Sequence, residues 1–189
     1  SKFVWDVPQS PHSIFLTFDD GPTPGVTEFV LKELDKYQAK ASFFCIGERA
    51  KKHPELFEQI KTQGHIVANH TYSHLNGKKA SKEEYLNSFK KCEEVFSSKL
   101  FRPPYGKITK AQHDEVLKTH QIIMWDVLSG DFDATISGED CWKNVRENTK
   151  GGSIVVFHDS EKAKEKLFYT LPKTLDYFSK KGFRFEVIQ

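Results

Sequence analysis

The sequence predicts an α/β protein in which a parallel sheet curls into a closed or partly closed β/α barrel. Short apolar segments rich in β-forming residues alternate with segments of helical spacing, and strands separated by helices of this length form parallel βαβ units. No glycine-rich dinucleotide fingerprint follows the first strand, which favours a barrel over an open doubly wound sheet. No repeat or long linker divides the 189 residues, so we expect a single domain over residues 1–189.

The predicted elements follow in chain order. Residues 13–18 form a β-rich apolar run that stops at a turn sequence, and apolar residues recur at helical spacing over residues 26–37. Ser81 and Glu84 have the spacing of a capping box and predict a helix that runs to about residue 96. Further strands are predicted at residues 41–46, 65–69, 100–101, 121–125, 153–157 and 183–188. A further helix is predicted at residues 54–63, and helices are expected between the last four strands.

The composition limits the classes of partner. A net charge of +2, from 28 basic and 26 acidic side chains, gives no strong field for nucleic acid. No run of 18 apolar residues is present, so no membrane-spanning segment is predicted. Cys45, Cys92 and Cys141 are widely spaced and form no CxxC pair, which predicts reduced, buried thiols.

Two adjacent carboxylates, Asp19 and Asp20, follow the first apolar strand. In parallel β/α barrels the reactive groups gather at the carboxyl ends of the strands. Half-buried neighbouring carboxylates repel each other unless a cation lies nearby, so one is expected to bind a metal while the other transfers protons. The alternative is an ordinary Asp-Gly-Pro turn with solvated acids.

His70 and His74 are four residues apart, a spacing that places two imidazoles on one face of a helical turn. By itself this spacing is a weak signal and more often marks two surface histidines. Together with Asp20 the pair makes a three-ligand set with open positions, the pattern of a catalytic zinc ion.

A rigid loop follows at Arg102, where Pro103 and Pro104 lack N–H groups and make the amide of Tyr105 the first free backbone donor. Such a donor suits an oxyanion that develops on a carbonyl, and Arg102 is placed to pair with Asp19. A stiff surface loop is the alternative.

His158 ends another apolar strand, where an imidazole can donate a proton to a leaving group. The segment 125–132 supplies aspartates that would keep this imidazole protonated. Taken singly, a histidine at such a position is more often a buried residue with its hydrogen bonds satisfied. The other histidines have no ligand-like partners and are interpreted as surface or packing residues: His12, His53, His65, His113 and His120.

Taken together, these motifs resemble those of the polysaccharide deacetylases of carbohydrate esterase family 4, the NodB-homology domain. The ordered series is TFDDGP at 17–22, HTYSH at 70–74, RPPYG at 102–106, WDVLSGDF at 125–132 and IVVFHD at 154–159. The resemblance extends from about residue 14 to residue 188. It implies a distorted (β/α)7-type barrel of the glycoside hydrolase–deacetylase kind and one catalytic domain over residues 1–189.

The resemblance also implies roles for the site residues. Asp19 matches the general base, and Arg102 the residue that orients it. The implied metal ligands are Asp20, His70 and His74. His158 matches the general acid, with Asp131 as the carboxylate that tunes it.

Three implied substrate-binding residues complete the set: Tyr105 through its amide, and Val156 and Phe132 as walls of the acetyl pocket. The family usually has tryptophan where Phe132 stands, and relatives often carry an aspartate at the position of Leu128. Both departures lie where substrate preference would be set.

The implied activity is metal-dependent removal of N-acetyl groups from a GlcNAc-containing polysaccharide, of peptidoglycan or chitin type. Zn²⁺ is the expected cofactor, with Co²⁺ or another divalent ion as alternatives. We expect a monomer that acts on glycan outside the cytoplasm, with no nucleic-acid partner. An O-acetyl esterase acting on xylan-type glycans and a non-catalytic glycan-binding module on the same fold are the competing interpretations.

Overall fold

In a computed structural model that describes residues 3–189, parallel strands form one curled sheet. The strands in this range are β1 Phe3–Val4, β2 Ser13–Asp19, β3 Ser42–Cys45, β4 Ile66–Asn69, β5 Leu100–Phe101, β6 Gln121–Ile123, β7 Val127–Leu128, β8 Ile154–His158 and β9 Arg184–Phe185. Their order is β1-β6-β5-β4-β3-β2-β8-β7, and β9 pairs with the start of β2. Because every named pair is parallel, the carboxyl ends of the strands lie at one rim.

The barrel is incompletely closed, which confirms the distorted barrel that was expected. Within residues 3–189, β1 and β7 form no ladder with each other. An isolated antiparallel bridge between Asp6 and Ser153 links the two sides of the gap, and the amide of Val7 donates to the carbonyl of Gly152 at 2.8 Å.

Helices cover the outside of the sheet. They are α1 Thr27–Lys36, α2 Gly47–Lys52, α3 Pro54–Thr62, α4 Lys82–Val95, α5 Lys110–Val116, α6 Gly138–Asn148 and α7 Lys164–Lys180, with a 3-10 turn at Pro104–Gly106. The capping box predicted before α4 is present: the Glu84 amide donates to Ser81 Oγ and the Ser81 amide donates to the Glu84 carboxylate. These bonds satisfy backbone donors that the first turn of a helix leaves free.

Aromatic side chains fill the space between β2 and the helices. The ring of Phe18 stacks on those of Phe43 and Phe157, with centroids 5.0 and 5.8 Å apart. All three side chains are fully buried, so they fix the positions of three neighbouring strands whose ends carry the site.

Several predictions of element length were wrong. The strand predicted at 183–188 is only two residues long, because β3 occupies the same edge of β2 from Thr17 onward. The strand predicted at 121–125 ends at Ile123. Helix α2 was not predicted, since six residues carry too little periodicity.

The three cysteines are free and buried, as predicted. In the described part of the chain, none of the helices combines the length and apolar character that a bilayer crossing requires.

Candidate active site

The site begins at the carboxyl end of β2. Asp19 is paired in register with Phe44 of β3 and His158 of β8, so its carboxylate lies at the rim between two neighbouring strands. Asp20 adopts a left-handed conformation with φ of 85°, which is uncommon outside glycine and concentrates at functional sites. The change of backbone direction brings both side chains into one pocket, as the sequence predicted.

Asp20, His70 and His74 form a cluster of possible metal ligands. Oδ1 of Asp20 lies 3.0 Å from Nε2 of His74 and 3.4 Å from Nε2 of His70. One ligand atom from each residue falls within 4.8 Å of the others, close enough to bind one ion.

The prediction that the two histidines lie on a helical turn was wrong. Residues 70–76 form a loop in which Thr71 and His74 have φ of 62° and 57°. The amide of Thr71 donates to Asn69 Oδ1 at 2.8 Å, and that of Tyr72 donates to the Ser88 carbonyl at 3.0 Å. These partners replace helical hydrogen bonds, and the left-handed residues turn both imidazoles toward Asp20.

The hydrogen bonds around the cluster fit a bound cation. Nδ1 of His70 lies 2.7 Å from the carbonyl oxygen of Arg102, which can only accept, so this nitrogen carries the proton. Nε2 of His70 therefore presents a lone pair toward Asp20. Oδ1 of Asp20 is buried, and neither imidazole is aligned to donate a hydrogen bond to it. Converging lone pairs of this kind are stabilised by a divalent ion with nitrogen and oxygen ligands.

Electrostatics keep Asp20 ionised. Burial alone would raise the pKa of Asp20, but protonated imidazoles at His70 and His74 hold this pKa well below its usual range, and a cation bound between neutral imidazoles would act in the same direction. An ionised carboxylate is the form that binds metal.

Arg102 holds the second carboxylate. Its guanidinium is completely buried and donates from Nη1 to Asp19 Oδ1 at 2.8 Å and to Thr17 Oγ1 at 2.7 Å. Nε and Nη2 donate to the carbonyls of Ile123 and Met124 at 3.1 and 2.8 Å. The predicted pairing of Arg102 with Asp19 is thus present. It leaves Oδ2 of Asp19 free of Arg102, at 3.9 Å from Nε2 of His70.

His158 is held by Asp131. Nδ1 of His158 donates to Asp131 Oδ1 at 2.7 Å, and the His158 amide donates to Asp131 Oδ2 at 2.7 Å. Burial alone would lower the pKa of this imidazole, but the Asp131 carboxylate outweighs that effect and raises the pKa to about 9. Asp126, the other aspartate of this segment, accepts hydrogen bonds from Ser153 Oγ and the Ile154 amide, so its role is structural.

These groups surround a pocket of about 460 Å³. Its apolar wall includes Trp125, Leu128, Phe132 and Val156. The ring of Phe132 meets that of His158 edge to face, with centroids 5.2 Å apart. Phe132 and Val156, the two predicted wall residues, therefore lie at the pocket. Leu128, the second departure from the family pattern, lies there too.

Tyr105 forms the pocket's outer edge. Its side chain is 61% exposed, and its ring centroid lies 4.7 Å from that of His74. The amides of Gly106 and Lys107 donate to the carbonyls of Pro103 and Pro104, so they are used within the 3-10 turn while the Tyr105 amide is not.

A larger cavity, of about 690 Å³, opens at the opposite end of the strands. It is lined by residues that precede or begin strands, such as Phe15, Lys40 and Gly64, and by the last five residues of the chain. None of its lining residues is a histidine or a predicted site residue. Size therefore does not identify the reactive pocket here, whereas the converging titratable groups do.

Sequence reasoning missed the role of Asn69. This fully buried residue accepts the Thr71 amide and donates from Nδ2 to Glu93 Oε1 at 2.7 Å, while His120 Nε2 lies 3.1 Å from the same Glu93 oxygen. A buried polar chain thus runs from α4 to the loop that carries the metal-site histidines. The only signal in the sequence was an uncharged polar residue at the end of an apolar strand, directly before His70.

Asp159 was also missed. Its carboxylate accepts the Gly21 amide at 3.2 Å and the Thr27 hydroxyl at 2.7 Å, and so holds the turn that follows Asp20. A Cβ atom at Gly21 would overlap this carboxylate, which explains the glycine. Burial raises the pKa of Asp159 to about 8.

Comparisons with known proteins agree with this arrangement. Residues 6–122 match the family model described as polysaccharide deacetylase. The chain is similar to a peptidoglycan-N-acetylglucosamine deacetylase of Bacillus cereus, with 35% identity over 98% of this chain and 90% of that protein. It is also similar to a chitooligosaccharide deacetylase of Azorhizobium caulinodans, with 34% identity over 81% of this chain and 76% of that protein.

The fold has a close match among solved structures. The crystal structure of the Bc1960 peptidoglycan N-acetylglucosamine deacetylase, in complex with 4-naphthalen-1-yl-N-oxidanyl-benzamide, superposes with a TM-score of 0.92. The two chains are 31% identical, and the match covers 99% of this chain and 91% of the other.

Proposed function

Because the chain belongs to the polysaccharide deacetylase family, we propose that it is a metal-dependent hydrolase that removes N-acetyl groups from a GlcNAc-containing polysaccharide and releases acetate. One observation carries the proposal: the Asp20–His70–His74 cluster shares a pocket with a carboxylate and an imidazole suited to base and acid. Relatives named for deacetylation of peptidoglycan and of chitooligosaccharides support the choice of an N-acetylated glycan.

The family depends on a metal ion, and the ligand set of one carboxylate and two imidazoles supports Zn²⁺ as the ion, with Co²⁺ as a substitute. When bound, such an ion polarises the acetamide carbonyl and lowers the pKa of water. Asp20, His70 and His74 would hold it.

Asp19 acts as the base. Its carboxylate takes a proton from the water that attacks the acetamide carbon, and Arg102 fixes the orientation of the carboxylate through Oδ1. The Tyr105 amide donates to the oxygen that becomes negatively charged as the tetrahedral centre forms.

His158 acts as the acid. Its Nδ1 is tied to Asp131, so Nε2 remains to deliver a proton to the departing sugar nitrogen. The C–N bond then breaks, and the products are acetate and the free amine. The apolar side chains of Val156 and Phe132 provide a surface for the acetyl methyl group. We propose that the enzyme works as a single catalytic domain and as a monomer, on glycan outside the cytoplasm.

An acetate-release screen tests this function. The metal-loaded protein is offered N-acetylchitooligosaccharide, peptidoglycan strands and acetylated xylan, each with and without a chelator. We expect acetate from the N-acetylated glycans, loss of release with the chelator and recovery with Zn²⁺. Release from xylan alone would identify an O-acetyl esterase. Glycan binding without acetate from any substrate would identify a non-catalytic binding module.

A further inference from the structure

Two cationic side chains line the pocket and have no part in the hydrolysis proposed above: Arg49 and Lys162. Arg49 lies in α2, which directly follows β3, and Lys162 lies in the loop that follows β8. Since β3 and β8 are the two neighbours of β2, the cations lie on either side of the strand that ends at Asp19.

Neither cation has an acidic partner. Within residues 3–189, no carboxylate lies within 4 Å of Arg49 or Lys162, whereas lysines on the outer helices, such as Lys110 and Lys180, pair with acids one turn away. Arg49 is half-buried, and among the described residues its guanidinium makes one long hydrogen bond, of 3.5 Å from Nη1 to Thr23 Oγ1. Because a guanidinium has five N–H donors in a planar fork, most of this group remains available for a ligand carboxylate.

Lys162 likewise has no carboxylate in direct contact within residues 3–189. Its ammonium lies 6.0 Å from the ring centroid of Phe132, at the apolar wall of the pocket. Asp133, an exposed acid of the neighbouring loop, uses its Oδ1 to accept from the amide and hydroxyl of Thr135. After these hydrogen bonds, the charge of Lys162 contributes to the lowered pKa of Asp133, so this acid offsets the ammonium in part, but the two groups form no direct ion pair and the ammonium stays available to a ligand at the pocket.

The other charges of the pocket do not offset these cations. Asp19 is paired with Arg102, and Asp131 is paired with His158. Among the residues that line the pocket, Asp20 is then the one carboxylate without a cationic partner. It faces the metal-site imidazoles as well as the positive charges of Arg49 and Lys162. A pocket with more positive than negative charge attracts anions, and the attraction is strongest at low salt.

We infer that Arg49 and Lys162 form a carboxylate-binding subsite, which makes the enzyme prefer glycan strands that carry carboxylates near the N-acetylated sugar over neutral strands. The inference rests on the proposed deacetylase function. The carboxylate belongs either to a sugar substituent, such as a lactyl ether, or to a peptide attached to the strand. Both present the same planar anion to a guanidinium fork.

Binding is measured in Asp19→Asn, which is expected to hold substrate without turning it over. The ligands are a neutral N-acetylchitotetraose, a peptide-free strand of equal length with lactyl carboxylates, the same strand with its carboxylates amidated, and a strand bearing peptides. We expect a Kd about tenfold lower for the carboxylate strands than for the neutral and amidated ones, with the difference shrinking as salt is raised. A preference for the peptide-free strand identifies the sugar substituent as the source of the carboxylate. A preference for the peptide-bearing strand alone identifies the peptide.

Added to the Asp19→Asn background, Arg49→Gln and Lys162→Gln should each reduce the preference, measured as the Kd for the amidated strand divided by the Kd for the carboxylate strand. Together the two substitutions should bring this ratio to about one. Lys51→Gln, on the same helix as Arg49 but outside the pocket, removes the same charge and should leave the ratio unchanged. Equal Kd values for the carboxylate and amidated strands, or a preference that survives the double substitution, would overturn the inference.

Kinetics on the unmodified enzyme separate this inference from the function on which it rests. Acetate release from neutral and carboxylate strands at equal kcat/KM refutes the subsite and leaves the deacetylase intact. A carboxylate preference in Kd, combined with no acetate from any strand, supports the subsite and refutes the proposed hydrolysis.

Discussion

Replacing Arg102 with methionine gives a quantitative test of the buried ion pair at the base. The substitution keeps an apolar stem of similar length but removes the guanidinium that donates to Asp19. Asp19 is 4% exposed, so its carboxylate cannot recover its lost partner from water. The carbonyls of Ile123 and Met124 lose their donors at the same time.

The size of the effect follows from this burial. Breaking a buried pair by removing one partner costs about 3–5 kcal/mol, because an uncompensated charge remains. If the cost comes mainly from the stranded charge, Asp19→Asn should relieve it. We therefore expect Arg102→Met to cost about 2 kcal/mol less in the Asp19→Asn background than in the unmodified protein.

Urea unfolding at neutral pH of the unmodified protein, both single variants and the double variant gives the coupling free energy directly. Arg146→Met, on the half-exposed surface of α6, serves as the control and should change stability by about 0.5 kcal/mol or less. A cost below about 1 kcal/mol for Arg102→Met, or an equal cost in both backgrounds, would refute the reasoning.

Three further predictions concern the acid, the metal loop and the turn after β2. Asp131→Asn removes the carboxylate that raises the pKa of His158, so the alkaline fall of kcat, expected near pH 9, should move to lower pH in a pH–rate profile. Asn69→Ala releases the loop that carries the metal-site histidines and should weaken Zn²⁺ affinity by about tenfold in a chelator competition. Gly21→Ala forces a methyl group against Asp159 and should lower the free energy of unfolding by about 1–3 kcal/mol.

Each of these predictions has a contrary outcome. An alkaline limb that stays near pH 9 in the Asp131→Asn variant would show that this carboxylate does not set the protonation of the acid. Unchanged Zn²⁺ affinity after Asn69→Ala, with the exposed Glu94→Ala as its control, would limit Asn69 to packing. A Gly21→Ala protein as stable as the parent would mean that the turn accommodates the methyl group.

The positions of the reactive residues were predictable because each one ends an apolar strand. Asp19, His70 and His158 interrupt hydrophobic runs, and parallel topology brings such ends to one rim. The pairing of Arg102 with Asp19 was predictable for the same reason, although the two residues are 83 positions apart and leave no local signal.

The conformation of the metal loop was not predictable from spacing. His70 and His74 suggest a helical turn, but bonds from Thr71 to Asn69 and from Tyr72 to Ser88 of α4 impose a left-handed path. Local spacing carries no information about a partner on another helix. The same limit applies to Arg49 and Lys162, whose place in the pocket depends on which strands adjoin β2.

The central claim is the division of labour between two adjacent carboxylates, Asp19 as base and Asp20 as ligand. Metal content and acetate release measured together on Asp19→Asn and Asp20→Asn test it most directly. We predict that Asp19→Asn retains one ion per chain while acetate release falls at least about 100-fold, and that Asp20→Asn loses both. Full turnover by Asp19→Asn, or full metal content and turnover in Asp20→Asn, would contradict the account.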